Sequence, residues 1–235
     1  MNRRKLARDI FLRSLGLERS YRPPALLQHP DWNYNELLRL VVGCAVRTRP
    51  NFTFVQVGAF DGRTADPIRP LVEEFGIRGI VVEPQARLLE TLTANYAAYP
   101  QVTVVNAAIA SADGSREFFS ATDGPSRYAS FSRSHLLDHG VAPSAIVAQT
   151  VSCVTIPSLL RQHGLAQCDL IQIDAEGYDY EIVRTIDFDA INPVIVRFEH
   201  VHLSKRDCNA CVALLAARGF RFITERRDII ALQEC

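Results

Sequence analysis

From Asn51 onward the apolar positions fall into short, near-continuous runs. Thr53–Val57, Gly79–Val82, Val102–Val105, Leu170–Ile173 and Val194–Phe198 are rich in Val, Ile and Phe, the pattern of strands covered on both faces. Ala65–Phe75, Gln85–Tyr99 and Tyr178–Ile186 intervene and read as helices. Such alternation predicts an α/β fold with a mainly parallel sheet and right-handed crossovers. A helix over Asp207–Arg218 then leads to the runs Phe220–Thr224 and Asp228–Leu232, an expected antiparallel hairpin turning at Glu225–Arg227.

Two stretches depart from this pattern. Near the start, Leu6, Ile10, Phe11, Leu15 and Leu17 recur at helical spacing among Arg3, Arg4, Lys5, Arg8, Arg13 and Arg19, which predicts a basic amphipathic helix. Its apolar face could dock on the main domain, on a second copy of the chain in a homodimer, or on a membrane surface. Pro23, Pro24 and Pro30 end it, and Asp31 or Asn33 could cap a second helix carrying Leu37, Leu38, Val41, Val42, Ala45 and Val46. The expected organisation is a helical extension over residues 1–50 and one domain over 51–235. The other stretch, Ser120–Thr150, has no strong period and contains Gly124, Gly140 and Pro143, as a mobile lid or a surface insertion would. Within it His135 and His139, four apart, could share a helix face.

Composition narrows the class. With 235 residues, 48% of them hydrophobic and 22% charged, the chain can bury a sizeable core. Lys plus Arg equal Asp plus Glu at 26 each, so no overall field favours nucleic acid. Six scattered cysteines suit a reducing cytoplasm better than a disulfide framework. No run reaches the roughly 20 apolar residues of an integral membrane span, and Met1–Leu17 lacks a signal peptide's long apolar core.

In an open parallel sheet, ligands bind beyond the carboxyl ends of the strands. After the first strand comes Val57-Gly58-Ala59-Phe60-Asp61-Gly62, where glycines permit a tight turn and close approach of a ligand. Glu83 follows the second strand at the separation suited to a ribose carboxylate. The loop is G-x-x-x-G with Asp61 inside it, which would repel a dinucleotide's diphosphate and suits a cationic, phosphate-free ligand such as S-adenosylmethionine. At the fourth strand, Asp169–Ile173 runs into Asp174-Ala175-Glu176-Gly177-Tyr178-Asp179-Tyr180-Glu181, a carboxylate-rich tip with a glycine exit into a helix.

That segment resembles the signature of the FkbM-type methyltransferases, a family of Rossmann-like, S-adenosylmethionine-dependent O-methyltransferases. Further matches are Phe54–Gly62, Val81-Val82-Glu83-Pro84, Val105–Ile109, Val151–Ile156 leading into Ser158–Leu160, and Val196–His200. The resemblance spans about residues 51–232 and implies a class I methyltransferase fold: a mainly parallel seven-stranded sheet with a C-terminal antiparallel hairpin, here behind an N-terminal helical extension. It implies that Gly58–Gly62 holds the methionine end of the cofactor, that Glu83 binds the ribose, and that Asn106 and Ala107 lie beside the adenine. Gln56 stands where many methyltransferases carry an acid, so Asp61 or Asp174 would take the cofactor's ammonium. Tyr128-Ala129-Ser130-Phe131 falls where the family carries a loop facing the acceptor.

Methyl transfer to a hydroxyl needs alignment and a base. Glu176, just past the strand tip, is the first candidate for the base; Asp174 and His200 could assist, and Glu199 with His200 could contact the acceptor. Asp174 and Glu199 could also share a divalent ion such as Mg2+. His200, His202, Cys208 and Cys211 form a second, zinc-type set. The expected acceptor is a small molecule, a saccharide or a natural-product scaffold such as a polyketide or glycoside. An NAD-dependent oxidoreductase and a non-catalytic cofactor-binding scaffold are the alternatives.

Overall fold

The structure is a computed structural model, and it describes residues 36–124 and 126–233. The predicted helix over Leu6–Leu17 and the expected caps of the second helix, Asp31 and Asn33, lie outside them. Helix α1 (Leu37–Ala45) buries Leu38 and Val42. Among the described residues no helix is long and apolar enough to cross a membrane.

The strands are β1 (Thr53–Val57), β2 (Arg78–Val82), β3 (Val102–Val105), β4 (Ala108–Ile109), β5 (Gly114–Ala121), β6 (Ile146–Val154), β7 (Leu170–Ile173), β8 (Ile195–Glu199), β9 (Phe220–Glu225) and β10 (Asp228–Gln233). Seven of them form one sheet in the order β3-β2-β1-β7-β8-β10-β9, in which β10 runs antiparallel to both neighbours and the other pairings are parallel. Every residue of β1 and β7 is buried, including the polar Thr53, Gln56 and Gln172 within their largely apolar runs. Helices α2 (Arg69–Phe75), α3 (Leu89–Tyr96), α5 (Ile156–Gln162), α6 (Asp179–Val183), α7 (Phe188–Ile191) and α8 (Lys205–Ala217) complete this body. Thr155 and Ser204 cap α5 and α8 by accepting the N–H of Ser158 and Asp207.

Helix α2 is shorter than the predicted Ala65–Phe75. Ala65 takes a left-handed conformation (φ 55°), and the Asp66 carboxylate accepts the N–H groups of Ile68 and Arg69, so the helix begins only after this turn. The sheet order reverses between β1 and β7: the chain moves outward from β1 to β3, then returns to lay β7 on the other flank of β1. A crevice between strand tips forms at such a reversal.

The segment read as a lid or insertion is built into a second sheet, β4-β6-β5. Strands β5 and β6 bound the segment, with α4 (Arg133–Asp138) between them. A small core of Ala108, Ala110, Phe118, Ala129, Val151 and Cys153, joined by Phe131, holds this layer together. The Phe131 ring bridges to the main body, edge-on to Phe118 at 5.3 Å and 4.8 Å from Tyr178, with the Arg116 guanidinium over its face.

Candidate active site

The tips of β3, β2, β1 and β7 lie side by side at the reversal of sheet order. Gly58 has φ 78°, and a Cβ there would stand 1.9 Å from the Asp174 carbonyl oxygen, so the β1 and β7 tips meet backbone to backbone only because this residue has no side chain. The Asp174 N–H donates to the Val57 carbonyl at 3.0 Å across the same contact. Glu83, buried at the end of β2, accepts the Phe60 N–H at 2.9 Å on one oxygen and the N–H and side-chain amide of Gln85 on the other. Burial outweighs those bonds and pushes its carboxyl up to about 7. Asn106 Nδ2 donates to the Glu83 carbonyl at 2.7 Å, and Ala107 is buried beneath it.

Two groups have acceptor capacity to spare. Gln56 is buried; its Nε2 donates to Asp66 at 3.1 Å, while its Oε1 has no hydrogen-bond partner among the described residues. Asp174 lies open at the β7 tip and makes no side-chain hydrogen bond among the described residues. The protein packed around it, then the charges of Glu199, Glu176 and Asp228, push its carboxyl up to about 7. Asp61 is engaged otherwise. Partial burial would raise it, but hydrogen bonds from Thr64 and Arg63 and the Arg127 charge hold it below its ordinary value.

One residue past Asp174–Ala175, the chain turns sharply at Glu176, whose φ of 48° is uncommon for a side-chain-bearing residue. Glu176 Oε2 lies 3.0 Å from His135 Nε2 and 3.4 Å from His202 Nε2. The second sheet reaches the same turn: Ser130 Oγ donates to the Glu176 carbonyl at 3.1 Å, and Tyr128 stacks on His139 at 4.4 Å. Glu199, at the β8 tip, accepts from Arg227 Nε at 2.9 Å; burial first and the Glu176 charge second push it up to about 7 against the pull of Arg227. Arg227 also lies 2.8 Å from His202 Nε2, and since a guanidinium only donates, that ring nitrogen accepts. Desolvation and the adjacent His135 and His139 outweigh Glu176 and lower the His202 pKa, which favours the neutral ring.

The structure therefore brings Asp174, Glu176 and Glu199 together with Ser130 at the tips of β7 and β8, and places Gln56, Gly58, Glu83, Asn106 and Ala107 at the tips of β1, β2 and β3, where Gly58 meets Asp174. It does not bring His200 to Glu176: His200 bonds through its N–H to the Arg227 carbonyl, and the acid its ring influences is Asp228. His202, one turn of chain further on, takes that place. The set His200, His202, Cys208 and Cys211 does not assemble, because Cys211 is fully buried in the main core and Cys208 packs against it. Asp174 belongs to none of the groups of three or more converging ligand atoms among the described residues; those groups are Glu176, Glu199 and His202, and His135, His139 and His202.

The sequence matches the family model described as the methyltransferase FkbM domain over residues 56–222, from the middle of β1 into β9. The chain belongs to the FkbM methyltransferase family. Its fold is correspondingly the class I methyltransferase fold, and the family sets aside the oxidoreductase alternative. Solved structures similar to this FkbM methyltransferase include an O-methyltransferase from Bacillus cereus in complex with SAH, 10% identical with a TM-score of 0.46, covering 100% of this chain and 92% of that one. Another is a precorrin-6y C5,15-methyltransferase from Geobacter metallireducens GS-15, 12% identical with a TM-score of 0.44, covering 91% and 93%. No curated protein matches the chain in sequence.

Proposed function

We propose that this FkbM methyltransferase transfers a methyl group from S-adenosylmethionine to a hydroxyl of a saccharide or natural-product acceptor. The residues fit that cofactor on two observations: the carboxylate of Asp174 and the buried Oε1 of Gln56 are acceptors without partners of their own, suited to the ammonium of a phosphate-free cationic ligand. Glu83 offers its carboxylate to the ribose hydroxyls, and Asn106 and Ala107 flank the adenine. S-adenosylmethionine supplies an electrophilic methyl on a sulfonium.

The observation that carries the O-methyl reading is the Glu176 turn beside Asp174, where a carboxylate and imidazoles converge from both sheets. An acceptor hydroxyl lying there meets Glu176 as the group that takes its proton, with His135 holding that carboxylate in place at 3.0 Å. Ser130 fixes the backbone of the same turn, and Tyr128 offers an exposed aromatic face on which a sugar ring can rest. The remaining contribution is alignment: the strand tips hold the acceptor oxygen in line with the methyl.

The test is transfer from methyl-labelled S-adenosylmethionine to a panel of sugars, glycosides and hydroxylated polyketides, with products read by NMR. An O-methyl ether on one of them supports the reading. Methylation only at nitrogen or carbon contradicts it, and cofactor binding without turnover on any acceptor favours the scaffold alternative.

A further inference from the structure

We propose that His135, His139 and His202 form a binding site for a divalent transition metal ion of the zinc class, with the carboxylate of Glu176 beside it as a neighbouring negative charge. The three rings come from two distant parts of the chain, α4 and the segment after β8. They pack against one another with centroids 4.3, 5.0 and 4.7 Å apart. One ligand atom from each lies within 4.8 Å of the others. Ligands at 2.0–2.1 Å around a tetrahedral ion stand roughly 3.3 Å from each other. Glu176 Oε2, 3.0 and 3.4 Å from His135 Nε2 and His202 Nε2, places a negative charge beside the set, and three protein ligands leave the fourth position of the ion open.

The surroundings prepare these nitrogens as ligands. His139 Nδ1 lies 2.8 Å from the His135 carbonyl oxygen, which only accepts, so Nδ1 carries the proton and Nε2 keeps its lone pair. That hydrogen bond fixes tautomer and ring orientation in the way backbone carbonyls do behind metal-bound histidines. His202 Nε2 likewise presents a lone pair, at present to Arg227. A second, independent observation is Glu199 Oε2, buried, without a hydrogen-bond partner and 3.4 Å from His202 Nε2. With Glu176 it would balance the two charges of the ion.

Arg227 is the rival cation. Its side chain is 61% exposed, so it can swing into solvent and leave Glu199 and His202 to the metal. A purely structural cluster would need that guanidinium, whereas a metal site competes with it. Imidazole-rich donors select zinc, cobalt or iron over magnesium or calcium. This deepens the reading given under Proposed function, and rests on it for what the ion faces: an acceptor hydroxyl, which such an ion would polarise. Binding of the metal itself needs neither cofactor nor acceptor.

The experiment titrates chelator-treated protein with Zn2+ by calorimetry and with Co2+ by visible absorption, in the absence of cofactor and acceptor. One ion per chain is expected, with the intense absorption of tetrahedral cobalt and no comparable binding of Mg2+. His139→Gln and His202→Gln should each weaken Zn2+ binding on the order of 100-fold, and Arg227→Ala should leave it equal or tighter. Retained affinity for S-adenosylhomocysteine shows that these variants are folded, and its absence in the wild-type protein would count against the cofactor reading alone. No Zn2+ binding by the wild-type protein, equal binding by the histidine variants, or loss of binding on Arg227→Ala would overturn the proposal.

Discussion

The two halves of the candidate site are built on opposite principles. The proposed cofactor half rests on β1, β2 and β7, whose residues are nearly all buried and whose tips touch backbone to backbone at Gly58 and Asp174. The proposed acceptor half leans on a second sheet whose two longer strands carry many exposed positions and whose core is small. One half is held by main-chain contact in a deep core; the other is held by side chains, chiefly Phe131 on Tyr178 and Ser130 on the Glu176 turn. A cofactor shared by many enzymes suits the rigid half. Acceptor selectivity suits the half that surface substitutions can alter without cost to the core.

Four perturbations probe this contrast. The largest effect is expected from Glu176→Gln, which should lower kcat by about 10²–10⁴ while leaving S-adenosylhomocysteine affinity within about threefold; steady-state kinetics with calorimetry would read it, and unchanged turnover would remove Glu176 from the acceptor half. Gly58→Ala should act on the other half. With φ 78° and the Asp174 carbonyl in the way, it should cost about 4 kcal/mol or more in urea unfolding. A cost under about 1 kcal/mol would mean that the two tips can separate freely.

Next is a pH effect confined to the cofactor half. Glu83 has its carboxyl raised from 4.5 to about 7 in the folded chain, so the free protein loses stability as pH rises from about 4.5 to 7, where the fold binds the proton more tightly than the unfolded chain does. A ribose-binding carboxylate must be ionised. S-adenosylhomocysteine affinity should therefore rise between pH 6 and 8, about tenfold from Glu83 alone and further from Asp174, whose carboxyl is likewise raised to about 7, and Glu83→Gln should remove the Glu83 share of that slope. An equal slope in the variant would assign the titration elsewhere. The smallest effect is expected from Tyr128→Ala: a severalfold rise in acceptor KM, about 1 kcal/mol, with the cofactor's affinity unchanged. A matching loss of cofactor affinity would show that the halves are not separable.

The same contrast explains what could be read from the sequence. Thr53–Val57 and Leu170–Ile173 are near-continuously apolar because both faces are covered, so their strands, the hairpin and the glycine and carboxylate positions at their tips were legible. Gly114–Ala121 reads Gly-Ser-Arg-Glu-Phe-Phe-Ser-Ala, with its first four residues exposed, and carries no such mark. The histidines were harder still. His135 and His139 advertised a shared helix face through their spacing, but nothing local tied that face to Glu176 or to His202. His200 occupied the expected place at the strand tip, yet strand alternation and the Arg227 turn direct it elsewhere and leave the position to His202. Side-chain convergence between two sheets is a property of their packing, not of either segment alone.

Calorimetric titration of the wild-type protein with S-adenosylmethionine and, separately, with NAD should give one S-adenosylmethionine site per chain and no NAD heat. Asp174→Asn should weaken that site at least about tenfold while Glu176→Gln leaves it intact. No S-adenosylmethionine binding, or NAD binding in its place, would contradict the account.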